Sequence, residues 1–169
     1  YTLWHTLSLH DALPIYLNTG GMSIDRTVQE MRDETSGLVG EDDLDETGEV
    51  EADSAPIIRL LNLIITEAVR SRTSDIHIEP MDNRVRVRYR VDGVCSERDD
   101  IPKRMQGPVT ARLKIMSGMK IEEKRVPQDG RIKLNVAGEA VDFRVSALPG
   151  YHGESIVLRI LRPDSVKIG

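Results

Sequence analysis

From Ser54 onward the apolar positions fall into two helical stretches and six strand-like ones. Ser54 stands where a side chain can cap a first helical turn, and Pro56 sits where a missing N–H costs nothing. Ile57, Leu60, Leu61, Ile64 and Ala68 then recur at helical spacing to about Arg72, and Thr73-Ser74 ends the helix. Ile76 and Ile78 alternate with Asp75, His77 and Glu79 until Pro80, where a hydrogen-bonded ladder must stop. After a turn at Met81-Asp82-Asn83 the alternation runs without a lapse. It sets Arg84, Arg86, Arg88 and Arg90 on one face and Val85, Val87, Tyr89 and Val91 on the other. Asp92-Gly93 predicts a hairpin turn into a strand from Val94 to about Asp99. Pro102 opens a second predicted helix, with Met105, Val109, Leu113 and Met116 as its stripe and Gly118 near its end. Strands return from Arg131 to Val136, from Ala140 to Leu148 and from Glu154 to Leu161, with turns at Ala137-Gly138 and over 149–153. Helix, three strands, helix, three strands predicts an α+β domain: two helices packed on a largely antiparallel sheet.

Upstream of Ser54 the pattern fails. A short helix is predicted from Ser23 to about Thr35, with Ile24, Val28 and Met31 on one face. Glu41, Asp42, Asp43, Asp45, Glu46, Glu49, Glu51 and Asp53 follow without a single base, a density that repels itself and reads as a flexible linker. Residues 1–16 look foreign. Ser8-Leu9-His10-Asp11-Ala12-Leu13-Pro14-Ile15 matches the translation of a sequencing-adapter end, and the stretch lacks the basic start and unbroken apolar core of a signal peptide.

Charge sharpens this division. Through Asp53 there are 13 acids and 2 bases; from Ser54 there are 15 acids and 21 bases, so the net charge of -5 conceals a basic globular part. Such a surface favours an anionic partner without choosing among phosphate, nucleic acid and acidic protein. No run approaches the ~18 apolar residues of a membrane-spanning helix. The single cysteine, Cys95, excludes an internal disulfide and stands beside a predicted turn with no histidine near it in sequence, which reads as filler.

Little here announces catalysis. The chain has no G-x-x-x-x-G-K-[ST] phosphate loop, no G-x-S-x-G elbow, no H-E-x-x-H and no paired-cysteine zinc spacing. Asp75, His77 and Glu79 share one face of one strand, but same-face neighbours point the same way and do not converge on a metal, so a polar row is the simpler reading. The arginines at 84, 86, 88 and 90 admit two readings. They form either a solvated face with carboxylate neighbours, or an anionic-partner face, because guanidinium matches carboxylate and phosphate bidentately. Direct nucleic-acid binding would also need stacking aromatics; these are 4% of the chain, and Tyr89 lies on the opposite face. Arg131, just past a tight turn, and Arg144, on the partner strand, are placed to aim at one phosphate, or to form ordinary surface ion pairs.

The residues themselves carry a resemblance. Ser74-Asp75-Ile76-His77-Ile78-Glu79-Pro80 and Arg88-Tyr89-Arg90-Val91-Asp92-Gly93-Val94 resemble two signatures of the GspE/PilB family of secretion ATPases. Arg112 to Met116, Glu123 to Arg131, Val141 to Ser146 and Gly153 to Arg159 add four blocks in that family's order, across about Ala55 to Pro163. The resemblance implies a cytoplasmic, homo-hexameric motor, peripheral to the inner membrane through secretion or pilus platform proteins and powered by ATP with Mg. It also implies a PAS-like N-terminal domain joined by a linker to a RecA-like motor domain. On that layout residues 1–16 are non-native, 17–53 linker, 54–163 the regulatory domain, and 164–169 the start of a linker to a motor domain absent from this chain. The phosphate loop and catalytic glutamate belong to that motor, so the fragment itself carries no catalytic residue, no metal site and no nucleotide of its own. In the family, arginines of this domain approach the ATP phosphates when it closes on a motor domain of the same or a neighbouring subunit. Motif position carries that role to Arg131 and Arg144 and, behind them, to Arg90 and Arg159. The alternative is a stand-alone adaptor that binds an acidic protein or RNA through Arg84 to Arg90.

Overall fold

The computed structural model describes Gln29 and residues 52–162. The predicted segments 1–16 and 164–169, the helix from Ser23 apart from Gln29, and most of the acidic run lie outside the described residues. Asp53, at the end of that run, forms an ion pair with Arg112.

Helix α1 (Ala55–Arg70) starts with its proline in the first turn and buries Ile57, Leu60, Leu61, Ile64, Ile65 and Ala68. Ser54 occupies the cap position, but its hydroxyl makes no capping bond. The far end closes on Arg72 in the left-handed region (φ 54), with Thr73 N–H donating to Ala68 O at 3.0 Å and Arg72 N–H to Val69 O at 3.3 Å. This is a Schellman closure with arginine where glycine is usual. Strands β1 (Asp75–Pro80), β2 (Arg84–Val91) and β3 (Val94–Pro102) follow as a meander. Asp92 and Gly93 both have positive φ, 50 and 81, as a type I′ turn requires. Ala137 and Gly138 repeat that geometry between β4 (Gln128–Val136) and β5 (Glu139–Leu148). Strand β6 (Ser155–Leu161) completes one wholly antiparallel sheet of order β3-β2-β1-β6-β5-β4, so the two runs of three meet at β1 and β6.

Three boundaries depart from the sequence reading by three residues or more, the first being β4, which starts at Gln128 ahead of the predicted Arg131 and so takes Gly130 into the strand. Strand β3 reaches Pro102, beyond Asp99, because a register shift opposite Val87/Arg88 leaves Arg98 unpaired in the ladder and restores the alternation, returning Ile101 to the core opposite Val85. Pro102 therefore ends a strand. A 3-10 turn, Lys103–Met105, intervenes before helix α2 (Gln106–Ser117), which closes on left-handed Gly118. The expected stripe on α2 is also modified: Met105, Val109 and Leu113 are buried, Met116 is only partly so, and Lys114 and Ser117 are buried instead.

One core serves the whole unit. The alternate residues Ile76, Ile78, Val85, Val87, Tyr89, Ile132, Phe143, Val145, Ile156 and Leu158 share it with the apolar faces of both helices. Tyr89 reaches through it to donate its hydroxyl to Ile64 O at 2.8 Å. With the core on one face, the other side of the sheet is left to its polar residues.

Candidate functional site

That polar face is organised by register. Residues paired directly across antiparallel strands point the same way, and the pairs Cys95–Arg90, Arg90–Asp75, Asp75–Arg159, Arg159–Arg144 and Arg144–Arg131 link into one line across all six strands. Four guanidiniums and one carboxylate thus stand in a row. The sequence placed Arg131 and Arg144 on paired strands; the fold brings Arg159 and Arg90 into line with them.

The row is unevenly neutralised. Arg159 Nε donates to Asp75 Oδ1 at 2.9 Å, Ser74 Oγ donates to Asp75 Oδ2 at 2.8 Å, and Arg90 Nε lies 3.6 Å from Oδ2. Arg131 and Arg144 are exposed, and neither side chain has a hydrogen bond or ion pair among the described residues. Like charges directly opposite on neighbouring strands destabilise a sheet, so Arg131, Arg144 and Arg159 side by side are a liability that an anion would relieve. They line an open depression of about 550 Å³ with Asp75, Asp129, Gly130, Ser146 and Val157. Asp129 also lines it, and its Oδ1 accepts from Ser146 Oγ at 2.5 Å.

The row of Arg84, Arg86, Arg88 and Arg90, expected as an anionic-partner face, carries its own counter-ions. Glu79 receives both Nε and Nη2 of Arg86, at 3.1 and 2.8 Å, and of Arg88, at 3.1 and 2.6 Å. Arg84 pairs with Glu97 at 3.2 Å and Asp100 at 3.0 Å, and Arg90 with Asp75. Asp75 and Glu79 are each drawn to arginines of adjacent strands, and among the described residues no three His, Cys, Asp or Glu side chains gather as a metal site would need.

These contacts set the acid response. Burial alone would raise the Glu79 carboxyl, but hydrogen bonds from Arg88 and then Arg86 outweigh it and hold the group below its ordinary value. Burial likewise works against Asp75, and the bonds from Arg159 and Ser74 overcome it. His77 is also lowered, first by burial, with Arg88 and Arg90 adding to it and Glu79 and Asp75 opposing. Its Nε2 is buried without a partner, so a second ring proton would have no acceptor there. All three groups bind protons more readily unfolded than folded, so stability falls as pH drops. Loss should begin as pH falls through His77's ordinary 6.5 and steepen below the carboxylates' ordinary 4.5 and 3.8. We expect urea midpoints to show both phases, and His77→Gln to flatten the first while sparing the second. An unchanged first phase in that variant would clear His77 of the role.

A further buried pair escaped the sequence reading. Lys114 Nζ lies 2.7 Å from Glu154 Oε1 and donates to Glu123 O at 2.6 Å, with both side chains almost wholly enclosed. Beside it Gln106 Nε2 donates to His152 O at 2.8 Å, fastening the 149–153 turn to α2. Helical spacing gives no sign of this, since Lys114 falls one position past the apolar stripe. The available signal was that Lys114 and Glu154 both lie within the motif blocks quoted above.

The chain matches the family described as Type II/IV secretion system protein over residues 50–169. It is 42% identical over 170 residues to a type II secretion system protein E of Xanthomonas campestris pv. campestris, covering 94% of this chain and 30% of that protein. It is 38% identical over 164 residues to the type IV pilus assembly ATPase PilB of Myxococcus xanthus, covering 96% of this chain and 29% of the relative. The PilB of Acinetobacter baylyi is 49% identical over 118 residues, covering 69% and 20%. The chain therefore spans less than a third of the length of these curated relatives. The solved pilus retraction motor PilT with bound ADP is a loose likeness, with a TM-score of 0.45 and 22% identity over 61% of this chain and 29% of that one.

Proposed function

This chain belongs to the Type II/IV secretion system protein family, and on that premise we propose that residues 54–163 form the regulatory domain of an ATP-driven secretion or pilus assembly motor. The observation that carries the proposal is the register line Arg159–Arg144–Arg131, two of whose members have no counter-ion among the described residues. Guanidinium presents a planar donor fork that suits phosphate oxygens. These three side chains are therefore fit to hold the phosphates of a nucleotide carried by a motor domain of the same or a neighbouring subunit. ATP with Mg, when bound to the motor, supplies the phosphoryl group whose transfer concentrates negative charge. Arg131 and Arg144, held on a stiff two-residue hairpin, bring fixed positive charge to that point and register whether the terminal phosphate is there. Contact with phosphate also relieves the repulsion along the row, so closure of the domain is favoured by the nucleotide itself. The proposal includes the surrounding assembly: a cytoplasmic homo-hexamer, peripheral to the inner membrane through platform proteins, with residues 164–169 leading to the motor domain. Among the described residues no helix is long and apolar enough to cross a membrane.

In the intact protein, with its motor domain, Arg131→Ala and Arg144→Ala should each lower kcat for ATP hydrolysis at least about tenfold, as loss of a charge-stabilising donor does. Arg84→Ala, a paired surface arginine off the row, should leave it unchanged. Wild-type kinetics in both row variants would remove the sensor role. The adaptor reading has less support, because the Arg84 to Arg90 face is already occupied by Glu79, Glu97, Asp100 and Asp75.

A further inference from the structure

We infer that Asp75 is a built-in substitute anion for the arginine row: it occupies Arg159 until a phosphate chain competes for it, and so keeps the domain's own affinity for polyphosphate low. The inference rests on the phosphate-contact reading above and adds to it the regulation of that site.

The geometry supports a competitor more than a scaffold. Asp75 is the only carboxylate in the register line, lying between Arg90 and Arg159, and its side chain is 8% exposed. Ser74 Oγ, Arg159 Nε and Arg90 converge on its two oxygens. Arg159, by contrast, is 68% exposed and engages Asp75 through Nε alone, which leaves its Nη edge available to a ligand at the depression. An anion arriving at Arg144 and Arg131 therefore meets two guanidiniums without counter-ions, a third half-used, and two carboxylates, Asp129 beside Arg131 and Asp75 beyond Arg159. Asp75 sits about 12 Å from the centre of the open pair, two and a half strand spacings away. At such a distance, in the dielectric of a protein surface, one unit charge changes the affinity of a polyvalent anion by about tenfold. The bonds themselves do not require the charge. An amide oxygen in place of Oδ1 still accepts from Arg159, and Ser74 has a second acceptor in Arg90 O at 3.3 Å. A purely structural acceptor could be asparagine; a competing anion has to be ionised.

The test uses this chain and inorganic tripolyphosphate, read by calorimetry at low salt. Wild type should bind weakly, Asp75→Asn about tenfold more tightly, and Asp75→Glu, which keeps the charge, like wild type. Adding Arg131→Ala or Arg144→Ala to Asp75→Asn should abolish the gain. A merely structural role predicts the opposite sign, since a loosened Arg159 would bind less well. No gain in Asp75→Asn overturns the inference, and if Arg131→Ala and Arg144→Ala still slow the intact motor, the phosphate-contact reading survives it. A gain that persists without Arg131 and Arg144 overturns both. The unmutated chain gives an independent answer by nitrogen-15 NMR of arginine Nε–H groups. The Arg159 signal should move toward that of a free guanidinium as tripolyphosphate saturates the row, and an Arg159 signal unmoved at saturation refutes the competition.

Discussion

Lys114→Met should remove about 3–5 kcal/mol of folding stability, the scale on which a buried ion pair fails when one member is deleted. The loss would appear as a large drop in the urea midpoint with little change in slope. Most of it comes from what is left behind: Glu154, deeply enclosed and 2.7 Å from the Lys114 ammonium, would have to stay charged without a partner or take up a proton. Glu154→Gln should be damaging for the complementary reason. Combining Lys114→Met with Glu154→Leu should recover most of the deficit, because apolar side chains of similar volume often replace a buried pair at no net loss. About 1 kcal/mol should remain lost in the double variant, for the hydrogen bond from Lys114 Nζ to Glu123 O has no substitute. Single variants that lost less than about 1 kcal/mol would mean that water reaches the pair. The pair matters to the candidate site because it ties α2 both to the segment leading into β4 and to the turn leading into β6, the strands that carry Arg131 and Arg159.

Gly130→Ala is the second large effect, expected at about 3 kcal/mol, the upper part of the range for overpacking a filled interior. A Cβ at that position would stand 2.3 Å from the carbonyl oxygen of Ser117 and 2.8 Å from its Cβ. Ser117 is the last residue of α2, and a helix backbone cannot step aside as the end of a long side chain can. The strand would have to peel away from the helix, shifting Arg131, its next residue, out of line with Arg144. Gly107→Ala is the matched control. Nothing lies within 4 Å of the added methyl, it sits in the first turn of α2, and its effect should be neutral or slightly stabilising. Equal urea midpoints for the two variants would show that β4 and α2 have room to separate.

Gly130 also shows where local reading stops. In the run Gln128-Asp129-Gly130-Arg131 it looked like a turn glycine, yet it lies inside β4 and is required by the close approach of a helix. The hairpins were legible because Asp92-Gly93 suits a type I′ turn through its own backbone preferences and Gly138 does so at the second position of the other, where Ala137 takes a positive φ against its preference. The end of β3 was not, because one unpaired residue at Arg98 interrupts the period by which strands are recognised. Lys114 was missed because what surrounds it, the turn before β6 and the segment before β4, comes from elsewhere in the chain.

Read alone, the chain determined which residues share a face. Asp75 opposes Ile76, Arg90 opposes Tyr89 and Arg144 opposes Phe143 because side-chain direction in a strand follows the backbone's own period of two. Only the tertiary structure decided that β1 lies beside β6, and hence that Asp75 meets an arginine 84 residues away. No local period records that neighbour. It is chosen when both helices and both three-stranded runs bury one common apolar face, which closes a long loop and leaves the opposite face to a line of charges whose order the strand order dictates.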